Sequence, residues 1–170
     1  QDNKEVTNRW QYYAVSLEFW RKYSDQDPRK QFFYYNYEGA SPRDENTENG
    51  FYYMIPNPGQ TTPPSDTVKF LKNVATKKYS YEMVSNSYYD GRTIAIFRIE
   101  DVILYKAEIE NEINGPTAAL TYINEIRARA GAPEYGSGPG FPIPATKEEM
   151  VQKILDERGF ELVFEYKRRP

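Results

Sequence analysis

The chain has 170 residues, a formal net charge of −3, and neither Cys nor His. The charge balance offers no basic face for nucleic acid or anionic lipid. The two missing residue types exclude disulfides, thiolate nucleophiles, zinc-thiolate sites, a Ser-His-Asp arrangement and the commonest transition-metal ligand, so catalysis would fall to carboxylates, Lys or Tyr.

Gln1–Thr7 is polar and reads as irregular. Trp10-Gln11-Tyr12-Tyr13 is a dense aromatic patch, after which Ser16 can cap a short helix to about Tyr23, with Glu18 in the first turn where a carboxylate suits the dipole. Asp25-Gln26-Asp27-Pro28-Arg29 is turn chemistry. Phe32–Tyr37 (FFYYNY) and Phe51–Ile55 (FYYMI) have strand propensity and can pair as a hairpin across the polar stretch Glu38–Gly50. Pro56–Pro64 holds four prolines and a Gly and is irregular. Thr67–Ala75 suits a short helix or strand. Asn86-Ser87-Tyr88-Tyr89-Asp90-Gly91 is a turn rich in aromatic and polar groups, and Thr93–Ile96 is a short extended lead into a helical stretch.

Residues 98–131 read as two helices back to back. Ile99, Val102, Ile103, Ala107, Ile109 and Ile113 recur mostly at three- and four-residue spacing and predict one core-facing stripe. Asn114-Gly115-Pro116 stops one helix and starts the next, since Gly suits a left-handed helix end and Pro the first turn. Ala119, Leu120, Ile123, Ile126 and Ala130 share a face of the second helix, and the short joint predicts an antiparallel hairpin. Gly131–Ala145 is a Gly- and Pro-rich loop. Thr146 with Glu149 forms a capping box, so a third helix is expected over 146–166, with Met150, Val151, Ile154, Leu155 and Leu162 on its face.

Arg158 falls inside that apolar face. A lone buried guanidinium is costly, so Arg158 demands carboxylates, which Glu157, Glu161, Glu108 or Asp101 can supply. Arg98, Arg127 and Arg129 invite the same reading, an ion-pair network tying the third helix to the hairpin. Lys106 and Glu110 can pair at i, i+4. Glu157 and Glu161 resemble a glycosidase pair in spacing, but Arg158 beside them favours their ionised forms, so neither suits general-acid work. Asp25, Asp27 and Asp90-Gly91 have the wrong spacing for an EF-hand loop, and no metal or cofactor is expected. Tyr105 and Tyr122, being on helices, are expected in the core or in inter-helix contacts.

Three ordered blocks carry a family resemblance: Arg98-Ile99-Glu100-Asp101-Val102 through Asn114-Gly115 to Ile123-Asn124-Glu125-Ile126-Arg127-Ala128-Arg129-Ala130-Gly131; Ile154-Leu155, Glu157-Arg158, Glu161-Leu162 and Phe164-Glu165; and, upstream, Asp27-Pro28-Arg29. In these the chain resembles the C-terminal half of the SusD/RagB family, the lipid-anchored nutrient-binding proteins of Bacteroidota outer membranes. Asp101 stands where Glu is usual, and Gly159-Phe160 replace a basic pair. The resemblance implies a mainly α fold with tetratricopeptide-like helix pairs, a minor β-hairpin and long loops. It implies a single C-terminal fragment, with 1–97 as an aromatic loop and strand region and the N-terminal lipid anchor outside this chain. It also implies no catalysis, a place on the extracellular face of the outer membrane, and pairing with a SusC-like TonB-dependent transporter. The ligand would be an oligosaccharide or, alternatively, a peptide; a helical-repeat scaffold for protein partners is the reading from another class. Sixteen Tyr against two Trp suit surfaces part apolar and part hydrogen-bonding, as a sugar face needs. Trp10, Tyr12, Tyr13, Asn86, Tyr88, Tyr89 and Asp90, set in loops, are the candidate ligand-binding residues. Arg98, Asp101, Glu108, Arg127, Glu157, Arg158 and Glu161 are the candidate structural ion pairs.

Overall fold

A computed structural model describes residues 14–38, 52–76 and 96–165. The fold is mainly α with short strands. The chain divides into two compact units, one of Gln1–Ser24 with Lys30–Met83 and the other of Asp25–Arg29 with Val84–Pro170.

In the first unit, β1 (Ala14–Ser16) leads directly into α1 (Leu17–Arg21). Ser16 closes the helix start as expected, its Oγ accepting the Phe19 N–H at 3.1 Å. The FFYYNY segment does not form one strand. It yields β2 (Phe33–Tyr34) and β3 (Tyr37–Glu38), separated by Asn36 at φ 52°, a left-handed turn that Asn tolerates better than most residues. The two halves enter different sheets. β3 pairs antiparallel with β4 (Tyr52–Met54), which keeps part of the expected hairpin, and β4 pairs parallel with β5 (Val68–Phe70). β2 instead joins β6 (Asn73–Thr76), which lies between β1 and β2. Val15 sits opposite Val74, and Tyr23 meets Phe33 edge-on at 5.4 Å; all four are buried.

The second unit is the helical one. α2 (Ile99–Asn114) and α3 (Pro116–Ala130) are joined by Gly115 alone, at φ 89°, with its N–H on the Asn111 carbonyl. Gly131 closes α3 at φ 71°; its N–H reaches Ala128 O and that of Ala132 reaches Arg127 O, the left-handed stop that Gly allows. α4 (Lys147–Glu161) begins at the expected cap, Thr146 Oγ1 accepting the Glu149 N–H, while the Glu149 carboxylate reaches one residue further back, to the Ala145 N–H. It ends at Glu161, short of the expected Tyr166, with Leu162 as its cap.

The core of this unit is Leu104 and Ala107 of α2, Ala119, Ile123 and Ile126 of α3, Met150 and Ile154 of α4, with Tyr135 and Leu162. This corrects the expected α2 face. Ile99, Val102, Ile109 and Ile113 point to solvent, Ile99 66% and Ile113 71% exposed, and Ile103 is only partly buried. The buried side carries Glu100, Asp101 and Asn111 beside Leu104 and Ala107. In α4, likewise, Val151 and Leu155 of the expected apolar set are exposed, while Met150, Ile154 and, at the helix cap, Leu162 face inward. The reason is chemical: carboxylates on the inner side are neutralised by arginines, so burial no longer follows hydropathy.

Candidate functional site

The most elaborate polar arrangement among the described residues lies where the N-terminus of α2, the C-terminus of α3 and the C-terminal half of α4 meet residues 27–29. Glu157 is fully buried. Its Oε2 accepts from Arg127 Nη1 at 2.7 Å, and its Oε1 lies 2.7 Å from Arg29 Nη1, close but not aligned as a hydrogen bond, so the attraction there is Coulombic. One turn on, Glu161 takes Arg98 Nη2 at 2.9 Å and Arg129 Nη2 at 2.5 Å on one oxygen and Arg29 Nη1 at 3.1 Å on the other. Arg98 also bonds Glu165 at 2.8 Å and lies 3.2 Å from Glu100, which in turn faces Arg129 at 3.3 Å. Arg29 is held by Asp27 through Nε at 3.0 Å and Nη2 at 2.8 Å, the two-point geometry a guanidinium offers a carboxylate.

The electrostatics follow from this saturation. Burial works against the Arg29 charge, but Asp27 and Glu157 outweigh it and raise its pKa. Burial alone would raise the Glu161 carboxyl; the hydrogen bond from Arg98 and the charges of Arg129 and Arg29 prevail and hold it below the ordinary carboxylate range. Glu161, with guanidiniums on both of its oxygens, is therefore a poor proton donor at neutral pH.

A second group sits between α2 and α4. Arg158, buried, gives Nη1 to Asp101 and Nη2 to Glu108 at 2.9 Å, and its guanidinium lies 4.2 Å from the Tyr105 ring centre. The carboxylates the sequence offered it are thus divided: Asp101 and Glu108 serve Arg158, while Glu157 and Glu161 serve the other arginines. Tyr105 is half-exposed, and its contact with Arg158 joins α2 to α4. Arg127 crosses from one group to the loop, Nε to Pro133 O at 2.6 Å and guanidinium 4.5 Å from the Tyr135 ring. Asn124 fixes that loop from both sides, accepting from Tyr135 N at 2.9 Å and donating to Tyr135 O at 3.0 Å. Burial pushes the Tyr135 phenol up to about 12, against the pull of Arg127. Lys106 does not pair with Glu110 as expected: its ammonium lies 4.6 Å from the Tyr122 ring, and Glu110 accepts from Asn114 at 2.7 Å.

All seven candidate ion-pair residues therefore lie in these two groups. Sequence reasoning missed Arg29, Glu100 and Glu165 as members, although the Asp-Pro-Arg turn was there to point at Arg29. Asp27, weighed for calcium, spends both oxygens on Arg29. The seven candidate ligand residues, Trp10, Tyr12, Tyr13, Asn86, Tyr88, Tyr89 and Asp90, lie outside the described residues. Among the described residues, Trp20 packs at 5.2 Å against Tyr35, and Lys30 sits 4.3 Å from the Trp20 ring. No helix among the described residues is long and apolar enough to cross a membrane.

The model of the SusD family matches residues 4–169, almost the whole chain. The chain belongs to the SusD family. Three SusD-like proteins of Formosa agariphila match shorter stretches. SusD-like protein P25 is 43% identical over 65 residues, 38% of this chain and 10% of its own length. SusD-like protein P38 is 34% identical over 96 residues, 55% and 19% of the two chains. SusD-like protein P2 is 38% identical over 76 residues, 42% and 14%. The stretches shared with these SusD-family relatives thus span no more than a fifth of the relatives' own length. No solved structure matches the chain.

Proposed function

We propose that this chain is part of a cell-surface nutrient-binding protein of the outer membrane, one that holds an oligosaccharide and passes it to a SusC-like TonB-dependent transporter. The observation that carries the reading is the family match over residues 4–169. In this reading the chain is a binding protein and not an enzyme. Its most concentrated set of carboxylates is engaged in ion pairs with arginines, and Glu161, held below the ordinary carboxylate range, is well placed for structure and badly placed for acid catalysis. Trp10, Tyr12, Tyr13, Tyr88 and Tyr89 stack on sugar rings, and Asn86 and Asp90 take hydroxyls. Such a surface gives modest affinity spread over several subsites.

The test is calorimetric titration of the polypeptide as the cell makes it, against a panel of oligosaccharides and, in parallel, a mixed peptide digest. Binding to one glycan class is expected, with Tyr88→Ala combined with Tyr89→Ala weakening it at least tenfold. Silence across the glycan panel with clear binding of peptides would replace the sugar reading by the peptide one. Co-purification with a large β-barrel is expected on mild detergent extraction, and a partner set made only of soluble proteins would favour the scaffold reading.

A further inference from the structure

The loop between α3 and α4 closes on itself into a cup. The Gly136 N–H meets Phe141 O at 2.6 Å, the Phe141 N–H meets Gly138 O, and Ser137 turns both its N–H and its hydroxyl onto Glu134 O. Asn124 and Arg127 fasten the loop to α3, through the Tyr135 backbone and Pro133 O. The cup opens to solvent and encloses about 570 Å³, inside the range of roughly 300–1,000 Å³ usual for small-ligand sites. Its wall is apolar: Ala132, Pro133 and Ile143. Ile143 is 51% exposed, yet lies so close over Gly136 that a Cβ there would stand 3.2 Å from its Cγ1.

The polar chemistry of the lining is one-sided. The N–H groups of Ala132, Tyr135, Gly136 and Ser137 are spent on Arg127 O, Asn124 Oδ1, Phe141 O and Glu134 O, and Pro133 has none. The Ser137 hydroxyl gives its hydrogen to Glu134 O at 2.6 Å, and Tyr135 packs in the core. The side chains left to a ligand are acceptors: the Ser137 oxygen, and the exposed Glu134 carboxylate, which has no ion-pair or hydrogen-bond partner among the described residues. No Lys or Arg is among the described residues that line the cup; Arg127 and Lys153 lie against the Tyr135 ring instead, at 4.5 and 5.8 Å. An anion finds nothing to pair with. An alkylammonium brings three donors, no acceptor and a methylene stem. We infer that the cup binds a primary ammonium on an apolar stem. Glu134 pairs its charge, Ser137 Oγ accepts a hydrogen bond from it, and Ala132, Pro133 and Ile143 cover the methylenes. The source is a lysine side chain of a peptide or a free aliphatic amine. The site shares no residue with the aromatic loops assigned to the sugar, and stands or falls without them.

The probes are N-acetyl-lysine methylamide, n-butylamine and, as the uncharged counterpart, N-acetyl-norleucine methylamide. In the polypeptide as the cell makes it, with isotope-labelled isoleucine methyl groups, the Ile143 δ1-methyl signal is followed by NMR and identified by its loss in Ile143→Val. Both amines are expected to move it saturably and the norleucine derivative to leave it in place, with the buried Ile123 and Ile126 unmoved throughout. Tighter binding of the lysine derivative points to a peptide side chain, tighter binding of butylamine to a free amine, and either fits the site. Glu134→Gln should weaken both about fivefold, whereas Glu125→Gln, at an exposed carboxylate of α3, should weaken neither. A signal that neither amine moves would overturn the inference. So would an equal shift with the norleucine derivative, which marks a merely apolar hollow, or amine binding indifferent to Glu134→Gln.

Discussion

At the scale of single residues, burial is decided by charge neutralisation as much as by hydropathy. Arg29 illustrates the cost. Its guanidinium is buried and touches Asp27, Glu157 and Glu161, and each of these is itself buried. Arg29→Met would leave Asp27 without its two-point partner and Glu157 with Arg127 as its remaining close guanidinium, so a loss of about 3–5 kcal/mol is expected. Urea unfolding followed by circular dichroism measures it. Arg29→Lys should fall between the two, because an ammonium keeps the charge but cannot hold Asp27 at two points. A change under about 1 kcal/mol for Arg29→Met would mean that solvent reaches the site and screens it. The need of Arg158 for carboxylates was legible on a helical wheel. Which carboxylates it takes was not, because Asp101 and Glu108 lie about fifty residues away and only packing chooses between them and the nearer Glu157 and Glu161.

At the scale of elements, starts and stops were readable because they depend on neighbours in sequence: Ser16 and Thr146 at helix starts, Gly115 with Pro116 at the hairpin, Gly131 at the end of α3. The inner face of α2 was not readable. Its apolar residues go nearly all the way round, and the side that faces the core is the one with Asp101 and Asn111, a choice that depends on Arg158 of α4 and on the Lys147 carbonyl that Asn111 bonds. α4 offers a direct check of this inversion. Ile154→Ala, at a fully buried position, should cost about 2–5 kcal/mol, whereas Val151→Ala, three residues earlier and exposed, should stay within about 0.5 kcal/mol. Thermal melts of the two variants separate them. Near-equal losses would show that Val151 is covered in solution.

At the scale of the whole molecule, stability should depend on acid. The Glu161 carboxyl has a folded-state pKa below its unfolded value, so it stabilises the fold above the unfolded pKa, and this contribution disappears as pH falls through the lowered value. The melting temperature is expected to be level from pH 7 to about 5 and to drop below about pH 4, the range where free carboxylates protonate. Glu161→Gln should be less stable at pH 7 and show a shallower acid decline; an unchanged decline would place the acid sensitivity elsewhere. The mainly α character was legible, as was membership of a family through its ordered blocks. The sheets were less so. Asn36 splits one promising segment between two sheets, and β6, drawn from a stretch equally suited to helix or strand, turns out to join β1 to β2, strands far from it in sequence.

The Asp27–Arg29 segment bears on how the helical unit comes into being. It is made early in synthesis, yet its partner Glu161 lies 132 residues further on. Until α4 has left the ribosome, Arg29 has neither of its carboxylates on that helix, while α2 and α3 can pair as soon as their short joint has closed. Contacts that close so long a loop carry a large entropy cost and form late. The hairpin should therefore be the early, quickly formed part of this unit, and the clasp between Arg29 and α4 the step that completes it.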